Sequence, residues 1–470
     1  MADLSTNFAG IRSPNPFWLA SGPPTNTAGQ VMRAFDLGWG GAIWKTVGEP
    51  IVNTTSRYGG VDLGREKLMG FNNIELISDR PIEDNLREVR EVKRRYPKNA
   101  VIVSLMVESK RASWHEMVKR TEDTGCDGLE LNFGCPHGMS ERGMGSAVGQ
   151  VPEYTTMITE WVKEVARTPV IAKLTPNITD VARIAVAAEQ RGADGISLIN
   201  TINSLMGIDL ETFAPRPTVR GKSSHGGYCG PAVKPIALNM VAACVKRVKI
   251  PVSGIGGVAT WRDAAEFITL GARSVQVCTA AMHYGFRIVE DMIDGLSEYL
   301  DSKRFTGPKE LEGRALENVT DWGNLDLNYK IIAQIDAAKC IGCHLCYIAC
   351  EDGAHQCIDE YPRPNGGEGD GAQRVPRIIE EECVGCNLCA LVCPVEGCIT
   401  MKQVDTGQPV VSWNDRVRQQ QGEAGLAYTP SLWDNAYDFG FSDFGFRIRG
   451  ACGGLERGIP QTQRGCNTGL

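Results

Sequence analysis

From residue 15 to about 303, short apolar, β-branched runs alternate with longer stretches whose apolar residues recur at helical spacing. The runs at 17–20, 41–46, 101–106, 128–132, 170–174, 195–199, 252–255 and 274–277 predict strands, and those at 28–37, 84–96, 113–124, 152–166, 180–192, 231–248, 260–270 and 286–303 predict helices. Parallel neighbours need helical crossovers, and eight β–α units close a sheet, so the pattern predicts a (β/α)8 TIM barrel over residues 1–303. A doubly wound open sheet is the rival arrangement. Two Gly-rich stretches, 48–71 and 133–150, interrupt the alternation and are expected to be long functional loops.

Beyond the barrel, residues 304–335 are polar and irregular and are expected to form a linker. A compact ferredoxin-like module is expected over 336–402, with a Gly/Pro-rich insert at 361–371 between its halves. Residues 403–470 hold Gly, Gln, Arg and isolated aromatics without a period, and are expected to be an extended or partly disordered tail.

The barrel reading locates chemistry, because barrel sites sit at the C-terminal ends of the strands. Polar residues gather there: Ser21, Lys45, Thr46, Asn132, Lys173, Asn200 and Thr201. An unpaired polar group at a buried strand end costs roughly 1–3 kcal/mol, so seven around one rim point to a ligand. Gly256 and Gly257 follow the seventh strand and Cys278 and Thr279 the eighth, where backbone N–H groups can cradle a phosphate. No G-x-G-x-x-G stands between a strand and a helix, so no nicotinamide site is expected on this chain.

Composition narrows the classes. At 470 residues the chain calls for at least two domains, and its 42% hydrophobic content and net charge of -7 describe an ordinary soluble protein. Its cations are interspersed with acids, which gives no footprint for nucleic acid. No basic segment precedes an apolar run at the N-terminus, and no stretch reaches the ~18 apolar residues of a membrane span, so a cytoplasmic protein without membrane contact is expected. The 17 cysteines form no disulfide framework, which suits a reducing compartment.

Eight of those cysteines form two runs, Cys340, Cys343, Cys346, Cys350 and Cys383, Cys386, Cys389, Cys393, each spaced C-x2-C-x2-C-x3-C. In this spacing three thiolates hold one iron–sulfur cube and the fourth reaches the neighbouring one. Two 4Fe–4S clusters are therefore expected, with crossed ligand sets: Cys340, Cys343, Cys346 and Cys393 for one, Cys383, Cys386, Cys389 and Cys350 for the other. Zinc knuckles or disulfides would account for the pairs, but not for the repeated fourth cysteine or for Pro394 after it.

Clusters pass single electrons, whereas most organic oxidations move two, so a converter is needed between them; FMN fits the phosphate cradle. Lys173 is then expected near the flavin N1–C2=O edge. Cys135 opens the second Gly-rich stretch just past a strand end. A lone cysteine is more often a small buried hydrophobe, but this position puts it over the barrel mouth, where it can exchange a proton at a carbon–carbon double bond. His137 stands beside it as a possible assistant.

The segments Asn132-Phe-Gly-Cys135-Pro-His-Gly-Met-Ser-Glu-Arg-Gly-Met-Gly145, Asn73-Ile74-Glu75-Leu76-Ile77-Ser78, Ala172-Lys173-Leu174-Thr175-Pro176-Asn177 and Asn200-Thr201, with the two cysteine runs, resemble the dihydropyrimidine dehydrogenases. The likeness covers residues 5–405 and is greatest to the catalytic subunit of the bacterial NAD-dependent, two-subunit enzyme. It implies reversible reduction of uracil and thymine to 5,6-dihydropyrimidines, with hydride passing from FMN to C6 and Cys135 protonating C5. It implies that Asn73, Glu75, Ile77, Asn132, Asn200 and Thr201 contact the pyrimidine. It also implies that Ser21, Lys45, Thr46, Asn73, Asn132, Lys173, Asn200, Gly230, Gly256, Gly257, Cys278 and Thr279 hold FMN. The NAD(H)- and FAD-binding half of that family is missing here, so the resemblance implies a separate flavoprotein partner, two copies of each chain together. The alternatives are a dihydroorotate dehydrogenase-like enzyme, or an iron–sulfur electron-transfer subunit with a vestigial barrel.

Overall fold

A computed structural model describes residues 2–49, 51–63, 66–136, 143–362 and 374–421. The chain divides into two compact units, Met1–Val319 and Thr320–Leu470. In the first, eight parallel strands close into a barrel in chain order: Phe17–Leu19, Gly41–Val47, Ala100–Leu105, Gly128–Asn132, Val170–Lys173, Gly195–Leu198, Val252–Ile255 and Ala272–Val277. Pairing of Val275 with Phe17 closes the ring and removes the open-sheet alternative. The crossover helices cover the barrel by burying one face each; Ile82–Arg95, for example, turns Leu86, Val89 and Val92 inward. Their starts are fixed locally, as where Thr260 Oγ1 accepts the Asp263 N–H at 3.3 Å and the Asp263 carboxylate accepts the Thr260 N–H at 2.9 Å.

An N-terminal hairpin, Thr6–Phe8 with Ile11–Ser13, precedes the first predicted strand. Phe8, fully buried, and Ile11 pack with Trp18, Ile43, Ile102 and Ile171. A Cβ on Gly195 would lie 2.9 Å from the Phe8 ring, and one on Gly128 2.8 Å from Ile11 Cδ1. The hairpin thus plugs the N-terminal end of the barrel.

Three expectations change. The stretch 48–71 is not a loop throughout: Tyr58–Leu63 and Glu66–Asn73 form a hairpin, which joins Gly226–Cys229 and Ile202–Ser204 in a four-stranded antiparallel sheet. Cross-strand pairing outside the barrel overrides the loop signal of Gly59, Gly60 and Gly70. Residues 304–319 are not a free linker, since Leu311 is buried, Gly313 N donates to Ile268 O at 3.0 Å and Arg273 pairs with Glu312 at 2.7 Å. The start of the expected tail is ordered too: Ile399–Val404 is a strand and Trp413–Gln421 a helix. Residues 422–470 of that tail, and residues 363–371 of the expected insert, lie outside the described residues.

In the second unit Lys330–Ile335 pairs antiparallel with Ile399–Val404, and Ile358–Pro362 with Arg374–Ile378. Between them lie two short helices, Leu345–Glu351 and Leu388–Leu391. Among the described residues no helix is long and apolar enough to cross a membrane.

Candidate active site

The barrel strands deliver their terminal side chains to one cavity of about 1310 Å³, part of it open to solvent. Ser21, Lys45, Thr46, Asn73, Glu75, Ile77, Asn132, Cys135, Lys173, Asn200, Thr201, Gly230, Gly256, Gly257, Cys278 and Thr279 all line it. Lys45 and Thr46 are adjacent and would face opposite ways on a regular strand; a register shift between Trp44 and Val47 lets both reach the cavity. His137 lies outside the described residues.

A chain of polar contacts runs round the rim. Asn132 donates its Nδ2 to Thr46 Oγ1 at 3.0 Å, and its Oδ1 accepts Asn200 Nδ2 at 3.1 Å and the Gly134 N–H at 3.1 Å. Asn200 Oδ1 in turn accepts the Thr201 N–H at 2.8 Å. Asn73 comes from the outer sheet and donates to Gly227 O at 3.3 Å. Cys135 is buried against Ile77, Met106 and Met144, and its carbonyl accepts the Ser146 N–H at 3.0 Å.

Two buried Lys–Glu pairs differ in kind. Lys45 hydrogen-bonds directly to Glu75, which also takes Arg57 Nη1 at 3.1 Å and the Tyr58 hydroxyl at 2.5 Å. Burial, and then the Glu75 hydrogen bond, push the Tyr58 phenol above its usual range. Lys173 Nζ instead lies 3.7 Å from Glu130 Oε1.

The glycine signals also converge. Gly256 and Gly257 have φ of 123° and 75°, and a Cβ on Gly257 would lie 2.9 Å from Lys234 N and 3.1 Å from Gly230 O. Only glycine leaves this backbone bare for a phosphate. Burial pushes the Cys278 thiol up to about 12 and that of Cys229, which accepts the Thr279 hydroxyl at 3.1 Å, up to about 11. Among the described residues, three buried side-chain atoms without a hydrogen-bond partner belong to this cavity: Glu130 Oε1, Gln276 Oε1 and His283 Nε2. Two of these are acceptor oxygens that ring N–H and hydroxyl groups of a ligand could satisfy, and the bare glycine turn lines the same cavity, so the lining fits a polar, phosphate-bearing cofactor such as FMN. None of these three residues, nor Tyr58 or Tyr228 in the same wall, belongs to the set expected from sequence. The alternation Gly128-Leu-Glu130-Leu-Asn132 puts Glu130 on the strand face of Asn132, but only closure of the barrel turns that face inward.

In the second unit, Cys340, Cys343, Cys346 and Cys393 line one void, and Cys350, Cys383, Cys386 and Cys389 line another. The x2 spacings work because the chain turns left-handed at Gly342 and His344, and again at Gly385 and Asn387. These are residue types that tolerate positive φ. A Cβ on Gly385 would lie 2.4 Å from Ile331 O. Cys398 joins the first void and Cys357 the second. Burial pushes the Cys346 thiol up to about 12 and Cys389 up to about 11; ligation by cluster iron would displace those protons.

A family model described as dihydroorotate dehydrogenase matches residues 3–300, and one described as 4Fe-4S dicluster domain matches residues 333–401. The NAD-dependent dihydropyrimidine dehydrogenase subunit PreA of Escherichia coli is 43% identical over 406 residues, which cover 86% of this chain and 96% of the relative. The chloroplastic dihydropyrimidine dehydrogenase (NADP(+)) of Arabidopsis thaliana is 43% identical over 332 residues, 68% of this chain and 78% of the relative. The catalytic subunit of dihydroorotate dehydrogenase B (NAD(+)) of Pyrococcus abyssi is 37% identical over 316 residues, 67% of this chain and 99% of the relative. The chain is therefore a member of the dihydropyrimidine dehydrogenase family, an oxidoreductase with a dihydroorotate dehydrogenase-type barrel followed by a 4Fe–4S dicluster domain.

Proposed function

We propose that this chain reversibly reduces uracil and thymine to their 5,6-dihydro forms and exchanges electrons through two 4Fe–4S clusters with an FAD- and NAD-binding partner subunit. One observation carries the reading: Cys135, Asn73, Asn132, Asn200 and Thr201 line the same cavity as Lys173 and the Gly256–Gly257 turn. Amide and hydroxyl groups supply the alternating donors and acceptors that the O2, N3–H and O4 edge of a uracil ring requires.

FMN would be held by Ser21, Lys45, Thr46, Lys173, Gly230, Gly256, Gly257, Cys278 and Thr279, with Asn73, Asn132 and Asn200 shared between it and the pyrimidine. Bound there, FMN supplies hydride exchange with carbon and one-electron exchange with clusters. Cys135 gives a proton to C5 when the pyrimidine is reduced and takes it back on oxidation, so that the C5–C6 double bond gains two electrons and two protons in all. Glu75 and Ile77 complete the pyrimidine pocket, and Lys173 offers positive charge to an electron-rich ring edge. Cys340, Cys343, Cys346 and Cys393 hold one cluster, and Cys383, Cys386, Cys389 and Cys350 the other. The partner joins in a two-plus-two assembly in the cytoplasm.

A dihydroorotate substrate is the second reading, favoured by the description of the matching barrel family. The charge pattern speaks against it. A C6 carboxylate calls for an uncompensated cation, whereas among the described residues Lys45 pairs with Glu75, Arg57 with Glu75 and Asp79, and Lys173 with Glu130. Assay of the purified complex with dihydrouracil and dihydroorotate separates the two: oxidation of dihydrouracil is expected, and turnover of dihydroorotate alone would sink the proposal. Flavin at one per chain, released by heat and read by absorbance, is expected; its absence would favour a pure electron-transfer subunit.

A further inference from the structure

Three consecutive barrel strands place Glu130, Lys173 and Ser197 together beneath the cavity. Glu130 comes from Gly128–Asn132, Lys173 from Val170–Lys173 and Ser197, the register partner of Lys173, from Gly195–Leu198. The two oxygens of Glu130 are used differently. Oε2 accepts the Ser197 hydroxyl at 2.8 Å, whereas Oε1 is buried without a hydrogen bond, 3.7 Å from Lys173 Nζ. Both side chains are sealed from water, with 0% of Glu130 and 6% of Lys173 exposed. A sealed carboxylate needs a nearby cation, and 3.7 Å supplies the charge without consuming an N–H donor. By contrast, Lys45 is hydrogen-bonded to Glu75.

We propose that Glu130 is a positioning residue: tethered by Ser197, it holds the Lys173 ammonium at the cavity floor, keeps its N–H donors available to a ring above, and tempers its charge. It acts on the bound ring only through Lys173. Glu130 therefore limits how strongly the site favours negative charge on a flavin, and with it the flavin's appetite for electrons. This inference rests on the FMN reading given above.

The test is a sulfite titration of the FMN-loaded complex, because sulfite adds to oxidised flavin more tightly when positive charge lies close to the ring. Glu130→Gln keeps the shape and an acceptor for Ser197 but removes the charge, so sulfite affinity is expected to rise roughly tenfold, the equivalent of about 1.4 kcal/mol, and the flavin midpoint potential to move upward. In a Lys173→Met background the same Glu130→Gln change is expected to have no effect. Unchanged sulfite affinity in Glu130→Gln, or an equal change in the Lys173→Met background, would overturn the proposal. Ser197→Ala tests it with the opposite sign and serves if Glu130→Gln does not fold: freed from its tether, Glu130 closes on Lys173 and sulfite affinity falls. A rise or no change there overturns it. A parent complex without FMN would overturn the flavin reading itself, whereas FMN bound with sulfite affinity indifferent to Glu130 would overturn the Glu130 role alone.

Discussion

Asn200 donates its side-chain amide to Asn132 Oδ1 at 3.1 Å, joining the ends of two barrel strands that are not neighbours. That bond orients both amides, since Asn132 Oδ1 as acceptor sends its Nδ2 to Thr46. Replacing Asn200 by Ala removes the proposed contact with the pyrimidine and leaves Asn132 without its Asn200 partner. The expected loss is about 1–3 kcal/mol, or one to two powers of ten in kcat/KM for dihydrouracil, measured by steady-state kinetics with flavin content unchanged.

Cys135→Ala is expected to retain flavin and clusters and to lose turnover by ~10²–10⁴, the usual contribution of a general acid. Exchange of the pyrimidine C5 hydrogen with solvent, followed by proton NMR, is expected to stop with it. Near-normal turnover would remove Cys135 from its role.

Gly257→Val places a branched side chain at a φ of 75° and its Cβ 2.9 Å from Lys234 N. The phosphate cradle is expected to close and FMN to be lost, read as flavin absorbance per chain after gel filtration. Supplying FMN in excess is expected to restore little of it.

Crossed ligation predicts damage at a distance in sequence. Cys393 lies at the end of the second run but lines the void of Cys340, Cys343 and Cys346. Cys393→Ala is thus expected to lose the first-run cluster and about half the iron. Loss of the second-run cluster instead, seen by EPR in a background where Cys340, Cys343 and Cys346 are already replaced by serine, would contradict the crossed sets.

Cys278 offers a pH prediction. Burial first, and then its neighbour Cys229, push its thiol up to about 12, so it stays protonated throughout the neutral range. Native protein is expected to resist iodoacetamide at this residue at about pH 8, and unfolded protein to react there, because an exposed thiol ionises near 8.5. Peptide mass mapping checks both.

Most of the rim is legible in the sequence because Lys45, Asn132 and Lys173 end apolar runs where local packing gives a polar residue no partner. The two cysteine groups are legible for a related reason, their spacing being set by backbone turns at Gly342, His344, Gly385 and Asn387. Glu130 is not legible as a functional residue: in Gly-Leu-Glu-Leu-Asn it reads as the wet face of a half-buried strand, and only closure of the barrel turns that face inward. The hairpin that carries Tyr58 and Asn73 hides behind its glycines, since its stability comes from pairing with Gly226–Cys229, over 150 residues away. Cys357 and Cys398 fall outside the repeated spacing, and only the fold brings them to the cluster voids.

The N-terminal hairpin has a kinetic consequence. With Phe8 and Ile11 stoppering one end of the barrel, the proposed oxidised and reduced pyrimidines are expected to come and go by the opposite rim. Product must vacate the pocket before the next substrate enters, so the two forms exclude each other, and each is expected to act as a competitive inhibitor of the other's conversion.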